Sequence, residues 1–232
     1  MVKYNTNGIA QWAQSGSGSG SGSVSAGFSS IAIDSSNNVY AVGHQYANYT
    51  YGNGVTGRGR NSSSIDEAVL VKYNSDGIAQ WAQISSFTGH PSYSATSRYL
   101  SVAVDSFDNI YTAGHLNVPT VTNYVINYGN GITLQYFGDG TTRSFEDVLL
   151  VKYNKNGTAQ WARTASSTLT GQYRSRFNTV AVDSFGNVYA AGYQNGIDIY
   201  TYGREVTAQG TNPYVNFNSQ GNNALLVKYR QE

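Results

Sequence analysis

Cysteine is absent from the 232-residue chain, which excludes disulfide staples and thiolate metal sites and leaves either a reducing or an oxidising compartment open. Charge is scarce as well: 14 Lys and Arg against 13 Asp and Glu give a formal net charge of +1. The basic residues form no run, so the electrostatic footprint of a nucleic-acid or anionic-membrane partner is missing. No apolar stretch approaches the roughly 20 residues of a membrane span, and Met1 to Gln14 lacks the apolar segment of a signal peptide, so the chain reads as soluble. Leucine is sparse, whereas 20 tyrosines and 26 glycines accompany abundant Ser and Asn. That balance predicts a β-rich protein with long polar loops.

The dominant feature is repetition. LVKYNKNGTAQWAR at Leu150 to Arg163 recurs as LVKYNSDGIAQWAQ at Leu70 to Gln83 and as VKYNTNGIAQWAQ at Val2 to Gln14, and Leu226 to Arg230 opens it again. Val69, Val71 and Tyr73 alternate with Leu70 and Lys72, and Asn74 to Gly77 carries the residues of a tight turn before a short strand at Ala79 to Ala82, so each copy predicts a β-hairpin. A second hairpin is predicted at Ser30 to Gln45, SIAIDSSNNVYAVGHQ, with copies at Ser101 to Leu116 and Thr179 to Gln194. Its first strand places Ile31 and Ile33 on one face and Ala32 on the other. Both faces are therefore apolar, and the strands are expected to lie sandwiched between neighbouring sheets. Each second hairpin leads into a long excursion, at Tyr46 to Ile65, Asn117 to Phe145 and Asn195 to Asn222, in which Asn53-Gly54 and Asn130-Gly131 signal a subsidiary type I′ hairpin. Residues 15–27, SGSGSGSGSVSAG, have the composition of a flexible linker.

The repeat unit is thus a four-stranded meander, with strands A (SVAVD), B (NVYAAGY), C (ALLVKY) and D (AQWA). Valines 2, 71, 151 and 227 are spaced 69, 80 and 76 residues apart, longer than the roughly 40 to 50 of common propeller repeats because of the loops. A four-stranded antiparallel repeat is the blade of a β-propeller.

The combination AVDSxGNVYxxG followed by LVKYNxxGxAQWA resembles the SBBP-type β-propeller repeats, found in tandem in bacterial proteins that are often secreted or surface-exposed; AVDSxGNVY is also similar to NHL-type repeats. The resemblance covers nearly all predicted strands. It implies a propeller fold and a binding or scaffolding role, with no catalytic residue set to transfer, and points to a secreted or cell-surface bacterial location.

The expected fold is all-β, a single propeller segment over residues 1–232. Residues 1–14 supply the C and D strands of a split blade, 28–83 the first blade, 99–163 the second and 177–229 a third without its D strand. Three blades do not close, since propellers run from about four to eight. The expected remedy is self-association about a two-fold axis into a six-bladed ring, with Ala10 to Ala13 completing the partner's last blade; a fragment of a longer array is the alternative.

Along a meander the A–B and C–D turns share one rim, where all are tight, and the B–C and D–A connections share the other, where all are long. The long-loop rim, rich in Tyr, Ser, Asn and Gly, has the composition of a paratope and suits a carbohydrate or protein ligand. Its candidate ligand-binding residues are Tyr46, Arg58, Arg60, Tyr124 and Tyr136, together with His44, His115 and Tyr193, which share one position at the end of strand B. Tyr51, Tyr128 and Tyr202 repeat identically and are expected to pack the subsidiary hairpins. Asp34, Asp105 and Asp183 are expected to cap turns rather than bind calcium, and Trp12, Trp81 and Trp161 to seal neighbouring blades. No catalytic residue, metal site or cofactor is predicted, so the expected function is a non-enzymatic binding or scaffolding module. Two alternatives are a purely structural or engineered propeller fragment and a propeller lyase or glycoside hydrolase, which needs carboxylates such as Glu67, Asp139, Glu146 or Glu205 to converge.

Overall fold

A computed structural model describes residues 1–19, 24–60, 65–89, 95–119, 123–137, 144–167, 174–197, 199–211 and 221–230, and among them the chain is all-β, without a helix. An N-terminal hairpin joins β1 (Val2–Tyr4) to β2 (Ala10–Ala13). The first repeat holds β3 (Ser17–Ser19), β4 (Ala26–Ile33), β5 (Val39–Gln45), β6 (Asn48–Thr50), β7 (Thr56–Gly57), β8 (Glu67–Tyr73) and β9 (Ala79–Ile84). The second holds β10 (Ser86–Gly89), β11 (Thr96–Val104), β12 (Ile110–Pro119), β13 (Tyr124–Asn127), β14 (Thr133–Tyr136), β15 (Ser144–Tyr153) and β16 (Ala159–Arg163). The third holds β17 (Ser166–Ser167), β18 (Ser175–Val182), β19 (Val188–Asn195), β20 (Ile199–Thr201), β21 (Thr207–Gln209) and β22 (Asn222–Tyr229). The main sheets are meanders: sheet I is β4-β5-β8-β9, sheet II is β11-β12-β15-β16, and sheet III is β18-β19-β22, with three strands.

The turns follow from local chemistry. Asp34 Oδ1 accepts the backbone N–H groups of Ser36 and Asn38, and Oδ2 accepts Asn38 Nδ2 and the Tyr40 hydroxyl. Asp105 and Asp183 repeat the arrangement. These bonds hold the carboxyl groups of Asp34 and Asp183 below the ordinary range, against desolvation that pulls the other way. The Asn5, Asn74 and Asn154 side chains organise the other tight turns in the same way. Where strand A meets strand B, one residue bulges out: Phe28 pairs with Gly43 and Ser30 with Val42, and the shift recurs at Tyr99/Ser101 and Phe177/Thr179. The bulge presses a carbonyl onto the facing glycine, so a Cβ on Gly43, Gly114 or Gly192 meets a backbone oxygen at 1.8, 1.9 or 1.8 Å.

The described part of each long excursion carries regular pairing that its composition does not suggest. The type I′ turns form, with Asn53, Gly54, Asn130 and Gly131 all at positive φ. Each subsidiary hairpin then gains a third strand from the preceding D–A connection, giving the small sheets β3-β6-β7, β10-β13-β14 and β17-β20-β21. Part of the Ser/Gly segment is a strand: Ser17, Gly18 and Ser19 pair with Thr50, Tyr49 and Asn48, while residues 20–23 of the expected linker lie outside the described residues. Backbone hydrogen bonds and the absence of a Cβ suffice there, since any Cβ on Gly18 would strike Val24 and Tyr49.

The main sheets stack face to face in chain order. Tyr40, Val42 and Leu70 of sheet I pack with Tyr99, Val102, Leu149 and Val151 of sheet II. Tyr111, Ala113, Val148 and Leu150 on the other face of sheet II pack with Phe177, Val180, Leu225 and Val227 of sheet III. Met1 and Trp12 from the N-terminal hairpin, with Phe28 of sheet I, pack around Val39, Ala41, Val69 and Val71. Sheet I is nevertheless not sandwiched along its first strand. Ile31 and Ile33 are 52% and 58% exposed, while Val102 and Val180, which match Ile31, are 6% exposed. At the opposite end Leu226 is 70% exposed, whereas its equivalents Leu70 and Leu150 are fully buried.

Gly114→Ala is expected to lower the unfolding free energy by about 1–3 kcal/mol, because the added methyl has backbone rather than a movable side chain to displace; chemical denaturation checks this.

Candidate functional site

Sites at the end of strand B fall into the seams between stacked sheets. Within sheets II and III a strand-A arginine pairs across to the strand-B position, Arg98 with His115 and Arg176 with Tyr193. Each arginine reaches back to a carboxylate at the start of strand C in the preceding sheet: Arg98 to Asp66, and Arg176 to Glu146 at 3.7 Å. A charged tie therefore crosses each seam. In sheet I the arginine position is Gly27, paired with His44, and in sheet III the carboxylate position is Asn222. At this one position the two ends of the stack are neutral where the internal seams are charged.

The candidate residues divide accordingly. His44 and Tyr46 are half-buried at the first seam, ring edge to face with centroids 6.2 Å apart. Burial, with help from Arg98, pushes the His44 pKa down; the Tyr46 hydroxyl is raised by its hydrogen bond to Asp66. His115 lies buried at the second seam with Nδ1 unpaired, and desolvation backed by Arg176 and Arg98 drives its pKa down to about 3, so it is neutral at physiological pH. The Tyr193 hydroxyl donates to Glu146 Oε1 at 3.5 Å. These residues line the seams in sequence along the stack.

The loop candidates come from two repeats, Tyr46, Arg58 and Arg60 from the first and Tyr124 and Tyr136 from the second. Tyr124 is buried inside its small sheet and pairs with Tyr136, whose hydroxyl lies 2.9 Å from Thr164 Oγ1. Tyr124 is therefore a packing residue, its side chain buried with Ile126 while Val125 and Asn127 of the same strand are half-buried. Arg58 is exposed; Arg60 is half-buried and gives its backbone N–H to both Glu67 carboxylate oxygens at 3.1 and 3.2 Å. Tyr51, Tyr128 and Tyr202 are buried, and the hydroxyls of Tyr51 and Tyr202 donate to the buried amides of Gln45 and Gln194. Tyr51 and Tyr202 thereby fasten the first and third small sheets onto their main sheets, whereas the buried Tyr128 hydroxyl has no hydrogen-bond partner among the described residues and Leu116 holds the glutamine position in sheet II.

The carboxylates named for an enzyme are spread out as well. Glu67 serves the Arg60 loop, Glu146 serves the Arg176 tie, Glu205 stands in a surface turn at φ 61°, and Asp139 lies outside the described residues. Among the described residues no group of three or more His, Asp and Glu side chains gathers as a metal cage, and no helix is long and apolar enough to cross a membrane. The arginine–carboxylate ties escape a sequence reading built on consensus strands, although the recurring Ser-Arg-aromatic run at Ser97–Tyr99 and Ser175–Phe177 is a signal for them.

Asp147, one residue beyond Glu146, is buried against Tyr136, and desolvation raises its pKa to about 7. Glu67 holds the matching position in sheet I and is likewise raised to about 7 by burial; Asn223 holds it in sheet III, donating to Gly196 O at 2.8 Å. A scan against protein-family models and a search of curated proteins return no match.

A buried carboxyl with a raised pKa holds its proton in the fold after the unfolded chain has lost it. Its contribution is therefore complete at acid pH and lost as pH rises through about 7. Asp147→Asn is expected to leave stability near wild type at pH 4 and to raise it by roughly 2–4 kcal/mol at pH 8, read by denaturation at both pH values.

Proposed function

We propose that this chain is a non-enzymatic β-propeller module that closes into a six-bladed ring by pairing with a second copy and presents its long-loop rim as a binding or scaffolding surface. The observation that carries the reading is the matched exposure of the two ends. The face bearing Ile31 and Ile33 and the face bearing Leu226 are the two halves of the contact that sheets I and II, and sheets II and III, already make inside the chain. Docking one on the other repeats a packing the sequence is built for. Neutral Gly27 and Asn222 stand where the internal seams carry Arg and Asp or Glu, so at that position neither end brings half of a charged tie into the new seam.

The rim favours recognition over chemistry. Glu67 and Glu146 are committed to structural contacts, while Arg58 is exposed and Tyr46 half-buried among loops anchored by their own small sheets. Polar side chains and tyrosine on a rigid support suit a carbohydrate or peptide ligand.

Sedimentation velocity tests the ring: the wild-type chain is expected to sediment as a dimer, and Leu226→Asp to weaken association roughly 100-fold by placing a charge in an apolar contact. A wild-type chain that stays monomeric at every concentration contradicts it. For the rim, glycan and peptide arrays are expected to register binding that falls when Tyr46 and Arg58 are both replaced by alanine; silence on both arrays contradicts the binding role.

A further inference from the structure

Among the described residues sheet III has three strands, with no fourth beside β22. Beside β22 lies a hollow of about 770 Å³ whose walls include Trp161, Val188, Tyr202, Lys228 and Tyr229. In sheets I and II the same position is filled by AQWA strands, β9 and β16. We propose that this hollow takes β2 of a second copy, forming one sheet from two chains, and that β1 gives up its pairing with β2 when it does. The proposal rests on the ring described above and adds the strand that seals it.

Three observations select this occupant. First, β2 has the sequence Ala-Gln-Trp-Ala of β9 and β16, and its present partner β1 is a three-residue copy of the edge that β22 offers. Lys3 faces Trp12 and Tyr4 faces Ala10, just as Lys72 faces Trp81 and Tyr73 faces Ala79, with the same register shift between them. The pairing expected with the partner is therefore Val227 opposite Ala13, Lys228 opposite Trp12 and Tyr229 opposite Ala10. The Val-Lys-Tyr edge is exchanged for an identical one, so the pairing pattern of β2 is conserved, while β22 brings eight residues that already pair along β19.

Second, β2 already stands where such a sheet needs it. Trp12 donates from Nε1 to Ser75 O at 3.1 Å and lies against Gly77 in the tight turn of sheet I, as Trp81 lies against Gly157 in the tight turn of sheet II. Only β1 has to leave, and its Val2 and Tyr4 are exposed. Third, the complementary space exists on the same side: a hollow of about 580 Å³ bordered by Met1, Val2, Phe28 and Ile31 lies where the inner strands of a preceding sheet would stand. The third repeat also differs at the residue that touches the fourth strand. Asn53 and Asn130 donate their side-chain amides to the carbonyls of Ala79 and Ala159, and Arg204 takes that position beside the open groove. In the two-chain sheet the Ala10 carbonyl becomes the matching acceptor.

The chain has no cysteine of its own, so paired cysteines report the strand exchange directly. Ala13→Cys with Val227→Cys, and as a more tolerant second pair Gln14→Cys with Leu226→Cys, are oxidised in the full chain and compared on non-reducing gels with the light-scattering mass of wild type. Covalent dimers from either pair are expected. Val2→Cys with Ala13→Cys is expected to lock β1 in place and hold the chain monomeric until a reductant restores the dimer. A dimeric wild type in which neither pair links, or a Val2–Ala13 lock that leaves the dimer intact, overturns the shared sheet while the ring stands. A monomeric wild type removes the ring and the shared sheet together. A disulfide formed within one monomeric chain shows that the occupant is the chain's own β2 and overturns the exchange.

Discussion

A sheet with apolar side chains on both faces has to be covered twice, and the rest of this molecule follows from that requirement. Sheet II meets it on both sides, with Val102 against sheet I and Leu150 against sheet III. Sheet I has its central strands β5 and β8 covered by the N-terminal hairpin, yet Ile31 and Ile33 stay open; sheet III leaves Leu226 open. Burial of apolar area is worth roughly 25 cal/mol per Å², so such faces favour a cover that matches them. The matching surface is already encoded in the repeat, which is why a second copy is the natural candidate.

The seams add direction to that packing. An arginine of one sheet tied to an acidic residue of the sheet before it sets how neighbouring sheets meet, and buried His115 stays neutral beside those cations. A charged pair of this kind contributes less to stability than to register, because desolvation offsets much of its Coulomb attraction. Both members are missing at the two ends, where Gly27 and Asn222 stand instead. The small sheets do a separate job. Gln45 and Gln194 hold Tyr51 and Tyr202 from below, so the loop segments above them rest on a fixed base.

Much of the architecture was legible in the sequence because turns and strands here are set by local chemistry. Asp34 and Asn74 hold their turns through their own side chains, and Asn53-Gly54 takes up the positive φ values that its turn requires. The strand at Ser17–Ser19 was not legible, since backbone pairing with β6 leaves no apolar pattern in a Ser/Gly run. Burial of Tyr124 and His115 was also hidden: both residue types are at home on surfaces, and only the stacking of sheets and loops decides otherwise. Exposure of Ile31 depends on what lies beyond the first sheet, which its own strand pattern cannot encode.

The central claim is that the stacked sheets are an arc whose two open faces fit each other. Negative-stain electron microscopy of the purified chain tests it most directly. Class averages of closed rings with six sheets around a central channel are the predicted result; open three-sheet arcs that persist as the protein concentration rises would contradict it.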